Sequence, residues 1–280
     1  MEKKILVTGA TGTIGKALIK ALSEKKANFI AAARDASKLE PSIASVPFDF
    51  EDSKTFGKAT ADVDRVFLLA PPLNTKADIL LIPFIEHLER EKIKKVVYVS
   101  ALAIDALPSM PFHANTIKLL QSKGFELTVL QPSFFAQNFK NYEYDNITKY
   151  NILFAVAGEG KVGFVDTEDI GRVAATVLTS NGHAGKFYEI TGPELLSYFD
   201  AARIISDVLG KPIVYPNPDA EKYKQTLAAA GAPALIADYM IDVYSLIAKN
   251  KVNHVTNVVE NLTGRKPTSF KEVIKRDFAK

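Results

Sequence analysis

The sequence predicts an α/β protein: a doubly wound parallel sheet with a small, mostly helical C-terminal lobe. Three observations predict it. Short aliphatic runs alternate with amphipathic segments as far as Pro132, the repeat of strand, turn and helix that builds parallel sheets. The first run, Ile5-Leu6-Val7, ends in a turn with glycines at 9, 12 and 15 that opens a helix. Beyond Gly192 the apolar spacing is helical throughout.

The opening stretch, Lys3 to Gly15, organises the rest. A strand that passes through glycines into a helix aims unpaired backbone N–H groups, and the positive end of the helix dipole, at one spot. That spot suits a pyrophosphate. Gly9 takes the tight turn, Gly12 lets the backbone approach phosphate without a Cβ, and Gly15 lets helix and strand pack closely; Thr11, Thr13 and Ile14 complete the loop. The spacing is GxxGxxG, and a plain strand-to-helix turn also uses glycines, so its position after an N-terminal apolar strand carries the argument.

The second strand, Asn28 to Ala33, stops at Arg34-Asp35, about 20 residues past the glycines, where a dinucleotide's adenosine ribose lies. An acidic residue there selects a free 2′-hydroxyl and an arginine accepts a 2′-phosphate. Arg34, with Lys38 four residues on, favours NADP(H), with NAD(H) the other option. A third strand is expected over Ser42 to Phe48, then a helix to about Thr60. Asp49 and Phe50 at its tip either border the adenine or serve as a helix N-cap and a core ring. Arg65 to Ala70 is the fourth strand. Ala70 with Pro71 and Pro72 leaves the backbone extended where the second ribose would pass. A helix over Asn74 to Glu91, a fifth strand over Lys95 to Ser100, a helix over 113 to 123 and a sixth strand over Glu126 to Gln131 follow.

Past Pro132 the texture changes. PSFFAQNFKNYEYDNITKY holds six aromatics in 19 residues. A helix over 134 to 149 is expected to bury one face of it, and Ile152 to Ala157 and Lys161 to Val165 to form a short strand pair. Asp166 to Ser180 is a helix with Asp166-Thr167 at its N-cap, where Asp166 and Asp169 hold the helix start. Lys186 to Thr191 is the last strand, and helices follow over Leu196 to Leu209, Ala220 to Ala230 and Pro233 to Lys249. With no linker in view, the chain reads as one unit, residues 1–280: a sheet core over about 1–132 and 166–191, and a lobe over about 133–165 and 192–280.

Composition narrows the function. There is no cysteine, so no disulfide framework, thiol nucleophile or Cys-based zinc site, and four scattered histidines form no HxxxH pair; no metal is expected. A net charge of +3 with dispersed basic residues argues against a nucleic-acid partner. No stretch reads as a targeting segment or a run of about 18 apolar residues, so a cytoplasmic protein without a membrane association is expected.

In its glycine turn, Arg34, Ser100, PSFFAQNF, GFVDTEDIGRVAATVLT and YEITGPELLSY, the chain resembles the NmrA-like atypical short-chain dehydrogenases, in the branch of triphenylmethane reductase and the NAD(P)H quinone oxidoreductases, over essentially its full length. The resemblance implies a Rossmann-type domain holding NADP(H), with quinones or dyes in the cleft beside a C-terminal lobe. One departure matters. Ordinary members of the wider superfamily use a Tyr-x-x-x-Lys pair after the fifth strand, in which lysine lowers the tyrosine pKa. Here Lys118 has Ala114 four residues before it, and no tyrosine occurs in PFHANTIKLLQSKG.

A quinone or a cationic conjugated acceptor needs chiefly alignment and exclusion of water, so tyrosine is dispensable. Phe134, Phe135 and Tyr142 are candidate walls for a flat acceptor, with Gln137 and Asn138 as polar orienters. Ser100 is a candidate hydrogen-bonding group, and His113 a candidate for proton exchange near neutrality; His87, His183 and His254 look surface-like. The expected function is NADPH-dependent hydride transfer, without flavin, to a small conjugated acceptor, by a monomer or homodimer. The alternatives are a redox sensor that binds the dinucleotide without chemistry and passes its state to a protein partner, and an imine reductase.

Overall fold

The computed structural model describes residues 4–107 and 111–278; Lys3, counted above with the opening stretch, lies outside them. Seven strands make one parallel sheet: β1 (Lys4–Val7), β2 (Phe29–Ala33), β3 (Ser45–Pro47), β4 (Val63–Leu68), β5 (Lys95–Val99), β6 (Glu126–Pro132) and β7 (Phe187–Ile190). Their order is β3-β2-β1-β4-β5-β6-β7, so the winding reverses between β1 and β4. Each strand runs parallel to its neighbours, and the inner strands β1, β4, β5 and β6 are buried on both faces, which is why they show continuous apolar runs and not alternation, while the edge strands β3 and β7 are partly exposed.

One face is covered by α1 (Thr13–Glu24) and α6 (Thr167–Thr179), whose apolar stripes of Ile14, Leu18, Leu22, Ile170, Val173, Ala174 and Val177 meet Val7, Val97, Val99 and Leu130. The two helices approach so closely that a Cβ on Gly171 would lie 2.5 Å from the Ala17 backbone. The other face carries the short α2 (Phe56–Ala59), then α3 (Ala77–Arg90) and α4 (Phe112–Ser122), packed on Leu6, Val66, Leu68, Val96 and Tyr98. A third apolar cluster fills the lobe, joining the segment after β6 to α7 (Tyr198–Leu209), α8 (Ala220–Ala229), α9 (Ala234–Ala248) and α11 (Phe270–Phe278), with α10 (Val258–Thr263) set against α6.

Several expectations are corrected. Residues 134–149 are not one helix: Phe134 and Phe135 lie in extended chain, α5 spans only Asn138–Asn141, and a π-helical turn covers Asn146–Tyr150. Residues 152–157 and 161–165 do not pair with each other. Ile152 bridges Val214, Val162 bridges Leu196 and Val165 bridges Phe135, so each half is tied to a different part of the lobe or of the post-β6 segment. The third strand is three residues long, since Pro41 and the exposed Ser42 and Ala44 belong to the loop before it. His87 is buried, with Nε2 2.8 Å from the Thr60 hydroxyl and its ring stacked on Phe84, and is not a surface residue.

Candidate active site

All seven strands being parallel, their C-terminal ends share one edge of the sheet, and the expected cofactor residues fall along it in strand order. Arg34 follows β2, the glycine turn follows β1, Ala70-Pro71-Pro72 follow β4 and Ser100 follows β5. With neighbouring strands about 4.8 Å apart, the path from β2 to β5 is roughly 14 Å long. It crosses the point where the winding reverses, the usual ligand crevice of such sheets. Thr8 pins that point: its hydroxyl donates to the Phe67 carbonyl (2.9 Å) and accepts from the Leu69 amide (2.9 Å), holding β1 to β4.

The turn fits a phosphate. Gly9 has φ +64°, the left-handed region that favours glycine, and a Cβ on Gly15 would lie 2.1 Å from the Gly9 carbonyl oxygen. Gly12 is less hemmed in: a Cβ there would lie 3.3 Å from the Gly9 carbonyl oxygen, a tight contact, and the residue is exposed, so its bare backbone is open to what approaches from outside. Gly12 caps α1 without a side chain, no acidic residue occupies the first turn, and Thr13 is exposed. Thr11 is half-buried and Ile14 buried in the core of that face. The first amides of α1 thus face outward with neither a capping oxygen nor a carboxylate to compete for them.

At the β2 tip Arg34 and Lys38 are exposed and form no ion pair among the described residues. Asp35 is engaged elsewhere: its carboxylate accepts from the Ser37 hydroxyl (2.6 Å) and amide (3.0 Å), which hold its pKa below the ordinary value. Asp49 spends one carboxylate oxygen on the Glu51 amide (3.1 Å), and Asp52 is the residue that caps the following turn. Phe50 packs edge-on against Phe48 and Phe84 at 4.8 and 5.7 Å, a core contact for a half-buried ring.

Beside this edge, over the ends of β5 and β6, lies a cavity of about 210 Å³. Ser100, Ser133, Phe134, Phe135, Asn138 and His113 line it, with Leu102, Ile104 and Leu107 from the loop after β5 and Tyr239, Val243 and Leu246 from α9. The post-β6 segment bridges the two regions, since the Asn141 side chain reaches the Thr13 hydroxyl (3.4 Å) at the start of α1.

Two expected acceptor residues stand apart. Gln137 does not face the cavity; its Nε2 donates to Asp166 (2.8 Å) and its Oε1 accepts from the Thr167 amide (3.0 Å), so both ends of the amide are used inside the protein. Tyr142 is 66% exposed and does not line the cavity. Asp166 is more than a helix cap. Fully buried, it also accepts a two-pronged ion pair from Arg276 of α11 (2.9 and 3.0 Å). Burial pushes its pKa up, but Arg276 and the hydrogen bonds outweigh it and leave it below the ordinary value. Asp169, also fully buried, accepts from the Thr268 amide (2.8 Å) and from Arg172.

His113 is not poised for proton exchange near neutrality. Its Nδ1 lies 2.7 Å from the Tyr98 hydroxyl, and burial lowers its pKa to about 4, so the imidazole is neutral at pH 7. Burial likewise raises the Tyr98 phenol well above its ordinary value. Ser133, Tyr98 and Tyr239 escaped the sequence reading. Ser133 follows a proline in a segment read for its aromatics, Tyr98 sits inside a strand, and Tyr239 reaches the cavity only because α9 folds back over it.

Residues 9–181 match the NAD(P)H-binding family. An NAD(P)H azoreductase of Xenophilus azovorans is 31% identical over 98% of this chain and 98% of its own. Among solved structures, the NADPH-dependent quinone oxidoreductase of Escherichia coli, complexed with NADPH, superposes with a TM-score of 0.89 at 23% identity, covering 98% of this chain and 99% of that one. The triphenylmethane reductase of Citrobacter sp., complexed with NADP(H), gives 0.87 at 24% identity over 98% and 100%. An uncapped glycine turn at the reversal of a seven-stranded parallel sheet, and similarity that runs the length of the chain, have one source: the protein belongs to the NAD(P)H-binding family.

Proposed function

We propose that the protein is an NADPH-dependent oxidoreductase that reduces a quinone or related conjugated aromatic acceptor by direct hydride transfer. The observation that carries this reading is the mainly apolar cavity at the ends of β5 and β6, on the same sheet edge as the uncapped glycine turn. The amides of Thr13, Ile14 and Gly15 hold the pyrophosphate, and Arg34 and Lys38 take the 2′-phosphate. The reduced nicotinamide bound along this edge supplies the hydride. Phe134, Phe135, Tyr239 and Val243 orient a flat acceptor and exclude water, which strengthens every polar contact inside.

The activities named for the azoreductase and for the two solved reductases support the same chemistry. The place where the superfamily tyrosine would stand, Ala114, supports an acceptor whose charge is delocalised, so that no acid is needed within hydrogen-bond reach. The sensor reading draws on the same alanine, but a sensor has no use for a cavity beside the nicotinamide end. Purified protein is expected to consume NADPH, followed by absorbance, when offered simple quinones, azo dyes and triphenylmethane dyes. Absence of turnover across that panel, with NADPH binding intact by calorimetry, would leave the sensor reading in its place.

A further inference from the structure

Two serine hydroxyls have no explanation in the fold. Ser100 and Ser133 are 5% and 4% exposed, and neither Oγ finds a hydrogen-bond partner among the described residues. A buried hydroxyl left unpaired loses its hydration with nothing in return, so such groups need a reason. Both line the cavity. Both also belong to the same face of the sheet: Val96 and Tyr98 of β5 and Leu127 and Val129 of β6 share one apolar cluster, and the two-residue alternation carries that side to Ser100 and Ser133. Their backbones are held by the ladder, with the Ser100 amide on Leu130 (2.8 Å) and the Ser133 amide on Ile190 (2.9 Å). His113, from α4 on that face, lines the same cavity with Nδ1 against Tyr98.

We propose that Ser133 and His113, with Ser100, form a cradle of neutral hydrogen-bond donors for a carbonyl oxygen of the acceptor, and that Tyr98 is the positioning residue that sets His113 in its donor state. The proposal rests on the reductase reading above. A phenol that donates into Nδ1 places the ring proton on Nε2, the nitrogen not engaged by Tyr98, so the imidazole presents an N–H and not a lone pair. The charged group that acts on Tyr98 is Asp78 of α3, which accepts from Asn115 of α4 (2.7 Å).

For a quinone, the C–H bond at the nicotinamide breaks and an O–H bond forms at one carbonyl, while the electron pair passes through the ring to the opposite oxygen. The nicotinamide is oxidised, and the quinone becomes a hydroquinone monoanion that later takes one proton from solvent. The cradle stabilises that phenolate oxygen without giving up a proton. For a triphenylmethane cation the hydride ends on carbon and neutralises the charge, so no oxyanion arises. The cradle therefore makes the site selective for carbonyl-type acceptors.

The test uses the full chain and two acceptors, a benzoquinone and a triphenylmethane dye. Ser133→Ala and His113→Phe are each expected to lower the quinone-to-dye ratio of kcat/KM by about ten- to a hundredfold, the scale of one lost oxyanion donor. His113→Gln, which keeps an N–H in that direction, restores part of it. Nitrogen NMR of the histidines gives a readout apart from turnover: His113 is expected as the Nε2–H tautomer with no titration between pH 5 and 8, and Tyr98→Phe to release both features. An unchanged ratio in Ser133→Ala and His113→Phe, or an Nδ1–H tautomer, would overturn the cradle while the reductase stands. A wild-type protein that reduces neither acceptor overturns the reductase reading, and the cradle with it.

Discussion

At the scale of single residues, glycines of one motif do different work. Gly15 is close-packed against the Gly9 carbonyl, so Gly15→Ala should unfold the turn, and circular dichroism is expected to show a lower Tm with or without ligand. Gly12 is exposed, and a Cβ there would sit 3.3 Å from the Gly9 carbonyl oxygen, a tight contact but far looser than the one at Gly15. Gly12→Leu should therefore lower the Tm less than Gly15→Ala does, yet lose dinucleotide binding in calorimetry. Arg34→Ala removes a cation with no other ion-pair partner among the described residues. The loss should fall on NADPH and spare NADH, by about 1.5–3 kcal/mol, the value of a charge-assisted hydrogen bond; equal loss for both cofactors would show that Arg34 does not hold the 2′-phosphate. His113 gives a pH prediction with a definite sign. Its folded pKa of about 4 lies below the unfolded value near 6.5, so between these the unfolded chain binds the extra proton. The stability gained from a neutral His113 is complete above pH 6.5 and is lost as pH falls towards 4. The Tm gap between the wild type and His113→Gln should shrink over that window.

At the scale of elements, α6 fastens together parts that are far apart in the chain. Its N-cap, Asp166, holds Gln137 of the cavity-bearing segment and Arg276 of α11, and Asp169 holds Thr268 just before α11. Removing one partner of a buried pair costs about 3–5 kcal/mol. Asp166→Ala should cost somewhat less, about 2–4 kcal/mol in urea unfolding, because the Arg276 side chain is 39% exposed and turns to water. Since Gln137 loses its anchor as well, KM for the acceptor should rise more than KM for NADPH. A fall in stability with no such split would make the clamp purely structural.

At the scale of the whole molecule, ligand and fold are linked. A dinucleotide that binds only the folded chain stabilises it by about 2.7 kcal/mol at a hundred times its Kd. NADPH should therefore raise the Tm of the wild type and leave that of Gly12→Leu where it was. The sheet was legible in the chain because each strand is a local apolar run closed by glycine, proline or charge, and each flanking helix carries its own stripe; so were the glycine turn after β1 and the place of Arg34 at the end of β2, which depend on neighbours a few residues away. The lobe was not legible. Aromatic residues 134–150 have helical spacing, but Phe135 is held by Val165, Phe139 by Phe164 and Phe270, and Tyr144 by Phe278, contacts across up to 134 residues that override local preference. Composition and periodicity alone determined the α/β class, the glycine turn and its place after the first strand, since these are properties of short segments. Only the tertiary structure decided that Gln137 turns inward, that His113 is neutral against Tyr98, and that Ser133 stands unpaired at a cavity, because burial and hydrogen-bond partnership depend on segments far apart in the chain.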